Sequence, residues 1–315
     1  MGDITNESYG GYSFAPTDEQ GITDALATIG AGFGTIRINA NITLTGTILI
    51  NGGGSYLFTG NGVNSVIVVG GDWTAFNIDA GQVTLQNFMI DTSDVTLANT
   101  IITDVSSNYF TCKNVVFQGD NNDDAHCIDL NASDHCLISE CSFDLAYKGI
   151  TDDAGATYNR IVNNKLTNIE KYPIGIQGDY CIIDGNIVVD NAGDYGIACF
   201  GTHSVVSNNI CKGNTEGSGI TMAGSYNSCT GNVCNFNVQN DAASGRAGIQ
   251  VIGDNCNVVG NNCCGNTNSG AGTTYGIIIG AAADETMVGN NICRNNDTNF
   301  SDGGTNTTIG TQNTA

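Results

Sequence analysis

A short register of residues returns every 22 to 29 positions through most of this chain, and few folds accommodate such a period. Apolar pairs stand at Gly149-Ile150, Pro173-Ile174, Gly196-Ile197, Gly219-Ile220, Gly248-Ile249 and Gly276-Ile277. An Asn follows 12 or 13 residues after each Ile, at Asn163, Asn186, Asn209, Asn232, Asn261 and Asn290. A second Asn comes five residues later, at Asn168, Asn191, Asn214, Asn237, Asn266 and Asn295. A fourth column holds Ala154, Gly178, Gly201, Gly224, Gly253 and Ala281. Weaker echoes reach back through Ile128, Ile102, Asn114 and Asn87.

Between these columns lie short β-branched runs such as Ile187-Val188-Val189, separated by Gly and Asn, which tolerate left-handed turns. Stacked coils of this kind pair parallel strands about 4.8 Å apart and set like on like along inward columns. Ile176, Cys199, Met222, Val251 and Ile279 form one such column. Turn Asn residues stacked coil on coil can hydrogen-bond into ladders. No 3.6-residue stripe persists, so helical solenoids do not fit. The expected fold is all-β: a single-stranded right-handed parallel β-helix over 36–298. An N-terminal segment with a capping helix occupies 1–35, and a polar cap or tail 299–315. Thr17 and Gln20 suit a capping box, with Ile22, Ala25, Leu26 and Ile29 on one face of the helix. That helix would plug the open end of the core.

Composition narrows the partners. Nine Lys and Arg face 31 Asp and Glu, a net charge of −22, which argues against nucleic acid and anionic membrane surfaces. No stretch approaches the roughly 20 apolar residues of a membrane span. The opening MGDITNESYGG has neither a basic nor an apolar signal region. The 13 Cys follow the repeat register, with Cys211, Cys234 and Cys263 at equivalent places, so they read as buried free thiols. A disulfide at Cys263-Cys264 is the alternative.

Candidate chemistry gathers before the Gly-Ile pairs. From the second Asn to the next Ile the spacing is 6, 6 and 6, then 12 and 11, so length variation is expected at this corner, in loops 238–247 and 267–275. Solenoid insertions commonly fall on the binding face. The corner carries Glu170, Asp194 and Glu216 as candidate catalytic acids. Tyr172, Tyr195, Lys148, Lys171 and Arg246 are candidate substrate-binding groups. Exposed Tyr beside carboxylates suits sugars. Glu170 and Asp194 would lie roughly 5–6 Å apart on adjacent coils, and Glu170 and Glu216 roughly 10 Å apart, bracketing the separations of glycosidase acid pairs. Asp120, Asp123 and Asp124 beside His126 offer oxygen ligands suited to Ca²⁺, without EF-hand spacing, and no cofactor is required. Asp152 interrupts an apolar column, which suggests either a buried hydrogen-bonded acid or, preferably, a local bulge. His135 and His203 read as turn or surface residues.

The coil spacing, the Gly-Asn turns at Gly185-Asn186, Gly231-Asn232, Gly260-Asn261 and Gly289-Asn290, and the Tyr-Gly-Ile starts resemble the parallel β-helix repeats of the pectate-lyase-like superfamily over roughly 75–296. The helix and first coil, about 17–50, are similar to the start of phage tailspikes and depolymerases. Of the polygalacturonase elements only Asp-Asp pairs occur, Asp123-Asp124 and Asp152-Asp153. The resemblance implies a polysaccharide or cell-surface glycan as partner, an extracellular or virion-associated location and a homotrimer. It leaves open a glycan depolymerase, a non-catalytic adhesin or structural protein, and a polysaccharide lyase or NosD-like accessory protein. Because basic residues are few, paired-carboxylate hydrolysis is favoured over lyase chemistry.

Overall fold

The computed structural model describes residues 5–6, 11–79, 81–93, 95, 100–103, 108–119, 126–238, 245–268 and 272–310. They form a right-handed parallel β-solenoid of about 12 turns with one short helix. Each later coil contributes one strand to each of three sheets. The first sheet holds the Gly-Ile strands, such as Tyr195–Cys199 and Ser218–Met222. Val205–Ser207 and its equivalents make the second sheet, and Ile210–Lys212 and its equivalents the third. No helix among the described residues is long and apolar enough to cross a membrane.

The inward columns are as regular as the repeat requires. Ile128, Ile150, Ile174, Ile197, Ile220, Ile249 and Ile277 pair coil to coil and are fully buried. Each such side chain contributes about 1.5–3 kcal/mol by leaving water. At the preceding coil the register selects Ile101, not Ile102, opposite Ile128, since adjacent strand residues face opposite ways. Phe117 and Phe143 stack at 4.6 Å and 8° in the same core. All 13 Cys are free and all but Cys264 are buried, so no Cys263-Cys264 disulfide forms.

The helix, Glu19–Ile29, buries Ile22, Ala25 and Ile29. Its N-cap is Asp18 rather than Thr17: the Asp18 carboxylate accepts the Gly21 N–H at 2.8 Å. A carboxylate there also meets the positive end of the helix dipole. Parallel pairing begins before the helix, where Tyr12–Phe14 joins Phe33–Ile38. It also continues past 298, where Thr298–Asp302 joins Thr274–Ile279.

Two Asn ladders run inside the turns. The first comprises Asn164, Asn186, Asn209, Asn232, Asn261 and Asn291. Asn191, Asn214, Asn237, Asn266 and Asn296 make the second. Asn163, Asn168, Asn290 and Asn295 are therefore not rungs. They take positive φ and precede the inward-facing position. In Asn163-Asn164, Asn208-Asn209, Asn290-Asn291 and Asn295-Asn296 the first Asn makes the left-handed turn and the second is the rung.

This shift exposes a second corner of variable length. Ten residues separate Ile150 from Arg160, and Ile277 from Met287, whereas eight separate Ile174 from Ile182 in the same register. Length thus varies at the turn from first to second sheet as well as at the expected corner. Parts of the expected loops, 239–244 and 269–271, lie outside the described residues.

Coils approach closely at the Gly column. A Cβ on Gly224 would fall against the carbonyl oxygens of Gly201 and Phe200. Gly224→Ala is expected to cost ~1–3 kcal/mol by forcing the coils apart, measurable by urea denaturation against Gly245→Ala, which meets no atom of the described residues within 4 Å but has φ 94°.

Candidate functional site

The outward column of the first sheet reads Asp129, Thr151, Gly175, Ala198, Thr221 and Gln250 on successive coils. Small residues in its middle leave a depression, and longer side chains on either side wall it. The resulting cleft has a volume near 360 Å³ and is lined by His126, Asp129, Lys148, Thr151, Asp152, Asp153, Tyr172, Gly175, Gln177 and Phe200.

One wall is a column at the strand starts, where His126 pairs with Lys148 and Lys148 with Tyr172. Tyr172 stacks on Tyr195 at 6.1 Å and 12°. Parallel in-register pairing sets these groups about 4.8 Å apart along the axis. Lys148 and Lys171 each lie 5.5–5.9 Å from the Tyr147 and Tyr172 ring centres. Arg246 donates to the Tyr195 hydroxyl at 3.0 Å and lies over that ring at 5.1 Å. Three of the chain's nine basic residues thus meet along this edge.

At one end, His126 Nδ1 lies 3.3 Å from the Asp129 carboxylate and 3.0 Å from the Thr151 hydroxyl. The Thr151 hydroxyl lies 3.4 Å from the other Asp129 oxygen. Asp129 and Thr151 together fix the orientation of the imidazole ring. Burial alone would raise the Asp129 carboxyl, but His126, the Asn131 N–H and Thr151 outweigh it and hold it below its ordinary value. Tyr172 moves the other way: burial raises its phenol, and the Asp194 charge and hydrogen bond add to the effect. The Tyr147 hydrogen bond raises Lys171.

Asp152 and Asp153, at the start of the longer first-to-second-sheet turn, also line the cleft. Asp152 takes the inward position after Ile150 and Thr151, and is 1% exposed. It is the buried acid and not a bulge, because register irregularity in this strand falls earlier, between Ala146 and Lys148. Its Oδ1 accepts the Gln177 and Gly178 N–H groups at 2.6 and 3.0 Å, and Oδ2 accepts from Asn159 at 3.1 Å. Burial pushes its carboxyl up to about 6 despite these donors. With three donors on the ionised form, Asp152 clasps one coil to the next beneath the cleft.

Of the expected groups, Lys148 and Tyr172 line the cleft, while Lys171, Tyr195, Arg246 and Asp194 adjoin it. Glu170 lines a separate open depression with Asn168, Ile169, Asp190 and Ala192. Glu216 is exposed, and none of the three acids lines the cleft. Asp120, Asp123 and Asp124 lie outside the described residues. Among those described, no group of three or more His, Cys, Asp or Glu is arranged to hold a metal ion. Asp129, Thr151, Gln177 and Phe200 escaped the sequence reading. Their one signal is a carboxylate standing at the head of an outward column whose next five members are neutral.

No protein-family model matches the chain, and no curated protein does. Solved structures do. The Azotobacter vinelandii mannuronan C-5 epimerase AlgE6 A-module is 13% identical with a TM-score of 0.57, covering 94% of each chain. DFA-IIIase from Arthrobacter chlorophenolicus A6 without its lid is 14% identical with a TM-score of 0.64, covering 94% of this chain and 91% of that one. Alginate lyase from Paenibacillus sp. str. FPU-7 is 13% identical with a TM-score of 0.55, covering 93% and 99%. The fold is that of the pectate-lyase-like right-handed β-helices. At these identities the likeness is one of architecture, and function must be argued from the site.

Proposed function

We propose that the protein acts on a polysaccharide laid along the first sheet, and that the cleft performs proton-transfer chemistry on an acidic sugar. The observation that carries this reading is the register column His126, Lys148, Tyr172 beside the cleft. An imidazole oriented by a carboxylate is a general base. A lysine one coil away can neutralise a sugar carboxylate, which acidifies the adjacent C–H. A phenol on the next coil can return a proton. In elimination, His126 takes that hydrogen, the electron pair forms a C=C bond, and the glycosidic oxygen leaves with a proton from Tyr172. In epimerisation the proton returns to the opposite face of the same carbon and no bond to oxygen breaks. The names of two structural neighbours, a mannuronan epimerase and an alginate lyase, support an acidic polymer of this kind. A scarcity of basic residues does not weigh against it, since three of the nine stand along the edge where the polymer would lie. Paired-carboxylate hydrolysis has less support, because Glu170, Asp194 and Glu216 stand outside the cleft.

The test is incubation with polymannuronate and polyguluronate, reading ultraviolet absorbance for unsaturated ends, solvent deuterium incorporation for epimerisation, and reducing ends for any cleavage. His126→Ala is expected to lower kcat by ~10²–10⁴-fold, the range of a lost general base. Reducing ends without unsaturation would restore the hydrolase reading. An inert protein that still binds the polymers would support an adhesin.

A further inference from the structure

Six aromatic rings stand in one column on the outside of the turn between the first and second sheets. They are Tyr109, His135, Tyr158, Tyr180, His203 and Tyr226, stacked at 4.9–5.2 Å. Each takes φ between 57° and 69°, and each backbone N–H donates to the next coil. The column continues as Asn255 and Glu285 with the same positive φ and the same kind of N–H bond. A non-Gly residue in this conformation costs about 1–2 kcal/mol, least for Asn. An interior ring offsets that by stacking on two neighbours, each pair worth about 0.5–1.5 kcal/mol. Tyr226 has one ring neighbour among the described residues, His203. The backbone therefore does not explain why Tyr226 is not Asn, as Asn255 is one coil on.

Exposure distinguishes the rungs. Tyr158 and Tyr180, with both faces covered, are 49% and 45% exposed, whereas Tyr226 is 56% exposed. Interior rings offer solvent only their edges. Tyr226 offers part of a face, looking along the axis toward Asn255. Neither the Asn255 amide nor the exposed Glu285 carboxylate has a side-chain partner among the described residues, and Asp254 and Asp284 lie beside them.

We propose that the outer face of Tyr226 is a stacking platform for one pyranose ring, with Asn255 and Glu285 as its polar partners. A pyranose presents a face of C–H groups that packs on an aromatic ring, and hydroxyls or an amine at its edge. Asn255 and Glu285 follow Tyr226 at one and two coil spacings, about 5 and 10 Å along the axis, and the shorter Asn255 side chain leaves the outer part of the Tyr226 ring for the sugar to pack on. The acids around this step exclude uronates and select a neutral or amino sugar. The ligand thus differs from the acidic polymer proposed for the cleft, and the site stands independently of that reading.

The test is titration calorimetry of the full chain with the hexamers of glucosamine and of N-acetylglucosamine, and with polymannuronate. Tyr226→Asn, which keeps a residue suited to positive φ, is expected to weaken binding of at least one hexamer tenfold or more. Tyr180→Asn removes an interior ring and is expected to leave binding within twofold. Preference for the glucosamine hexamer, lost in Glu285→Gln, would assign an ammonium to Glu285. Equal binding of both would assign a neutral sugar. Absence of hexamer binding, or equal losses in Tyr226→Asn and Tyr180→Asn, would overturn the proposal, whatever the cleft variants do.

Discussion

Asn209→Ala is expected to destabilise the solenoid by ~4–6 kcal/mol, unusually large for one substitution. Asn209 is fully buried between Asn186 and Asn232. Its Oδ1 accepts from the Asn186 backbone N–H at 2.9 Å and from the Asn186 side chain at 3.0 Å. Its Nδ2 donates to the Ile183 carbonyl at 2.9 Å and to Asn232 Oδ1 at 3.0 Å. Ala leaves a buried N–H and a buried C=O without partners and breaks the ladder at both adjoining rungs. Each orphaned group costs about 1–3 kcal/mol, because no water replaces the lost partner. Asn208→Ala is the control. Asn208 holds the positive-φ turn and bonds outward to Asp184, so a loss of about 1 kcal/mol is expected there. Urea denaturation of both variants measures the contrast. Near-equal losses would mean that the ladder's bonds are replaced on mutation.

The second large effect is a pH dependence centred on Asp152. Burial raises its carboxyl from 3.8 to about 6. The folded chain then binds more protons than the unfolded chain between about pH 4 and 6, so stability falls as pH rises through that window. The shift corresponds to ~3 kcal/mol, fully expressed above about pH 6. Asp129 acts in a different window. Its carboxyl is held below its ordinary 3.8, so its contribution is present above that value and is lost as pH falls through the lowered one. Thermal melts from pH 4 to 7 should therefore show the wild type losing stability across the window. Asp152→Asn should remove most of that slope. It should also be less stable at pH 4, because its amide would face the Asn159 amide donor donor-to-donor. Equal slopes in both proteins would assign the titration elsewhere.

The period, the short β-rich runs within each coil, the apolar columns and the burial of the thiols were legible in the sequence. All follow from a spacing rule: residues one coil apart must meet like partners, so like residues recur. The same rule located Lys148, Tyr172, Tyr195 and Arg246 on one edge. It failed where two Asn were adjacent, because spacing alone does not say which turns outward. Asn163 and Asn290 fit the spacing of the rungs that Asn164 and Asn291 occupy. That one-residue slip hid the two extra residues of the second variable corner, and with them the true place of Asp152. It likewise hid the aromatic column, whose members recur at 22 to 26 residues.

By itself, then, the sequence determined that this chain winds into a β-solenoid with a polar, acidic exterior, since recurrence in one dimension is enough to specify stacking. Only the tertiary structure decided which carboxylate meets the cleft, which is sealed beneath it, and which ring keeps an open face. Those outcomes depend on whether a side chain points in or out at each turn. A single residue of turn length reverses that direction, and the repeat itself does not record it.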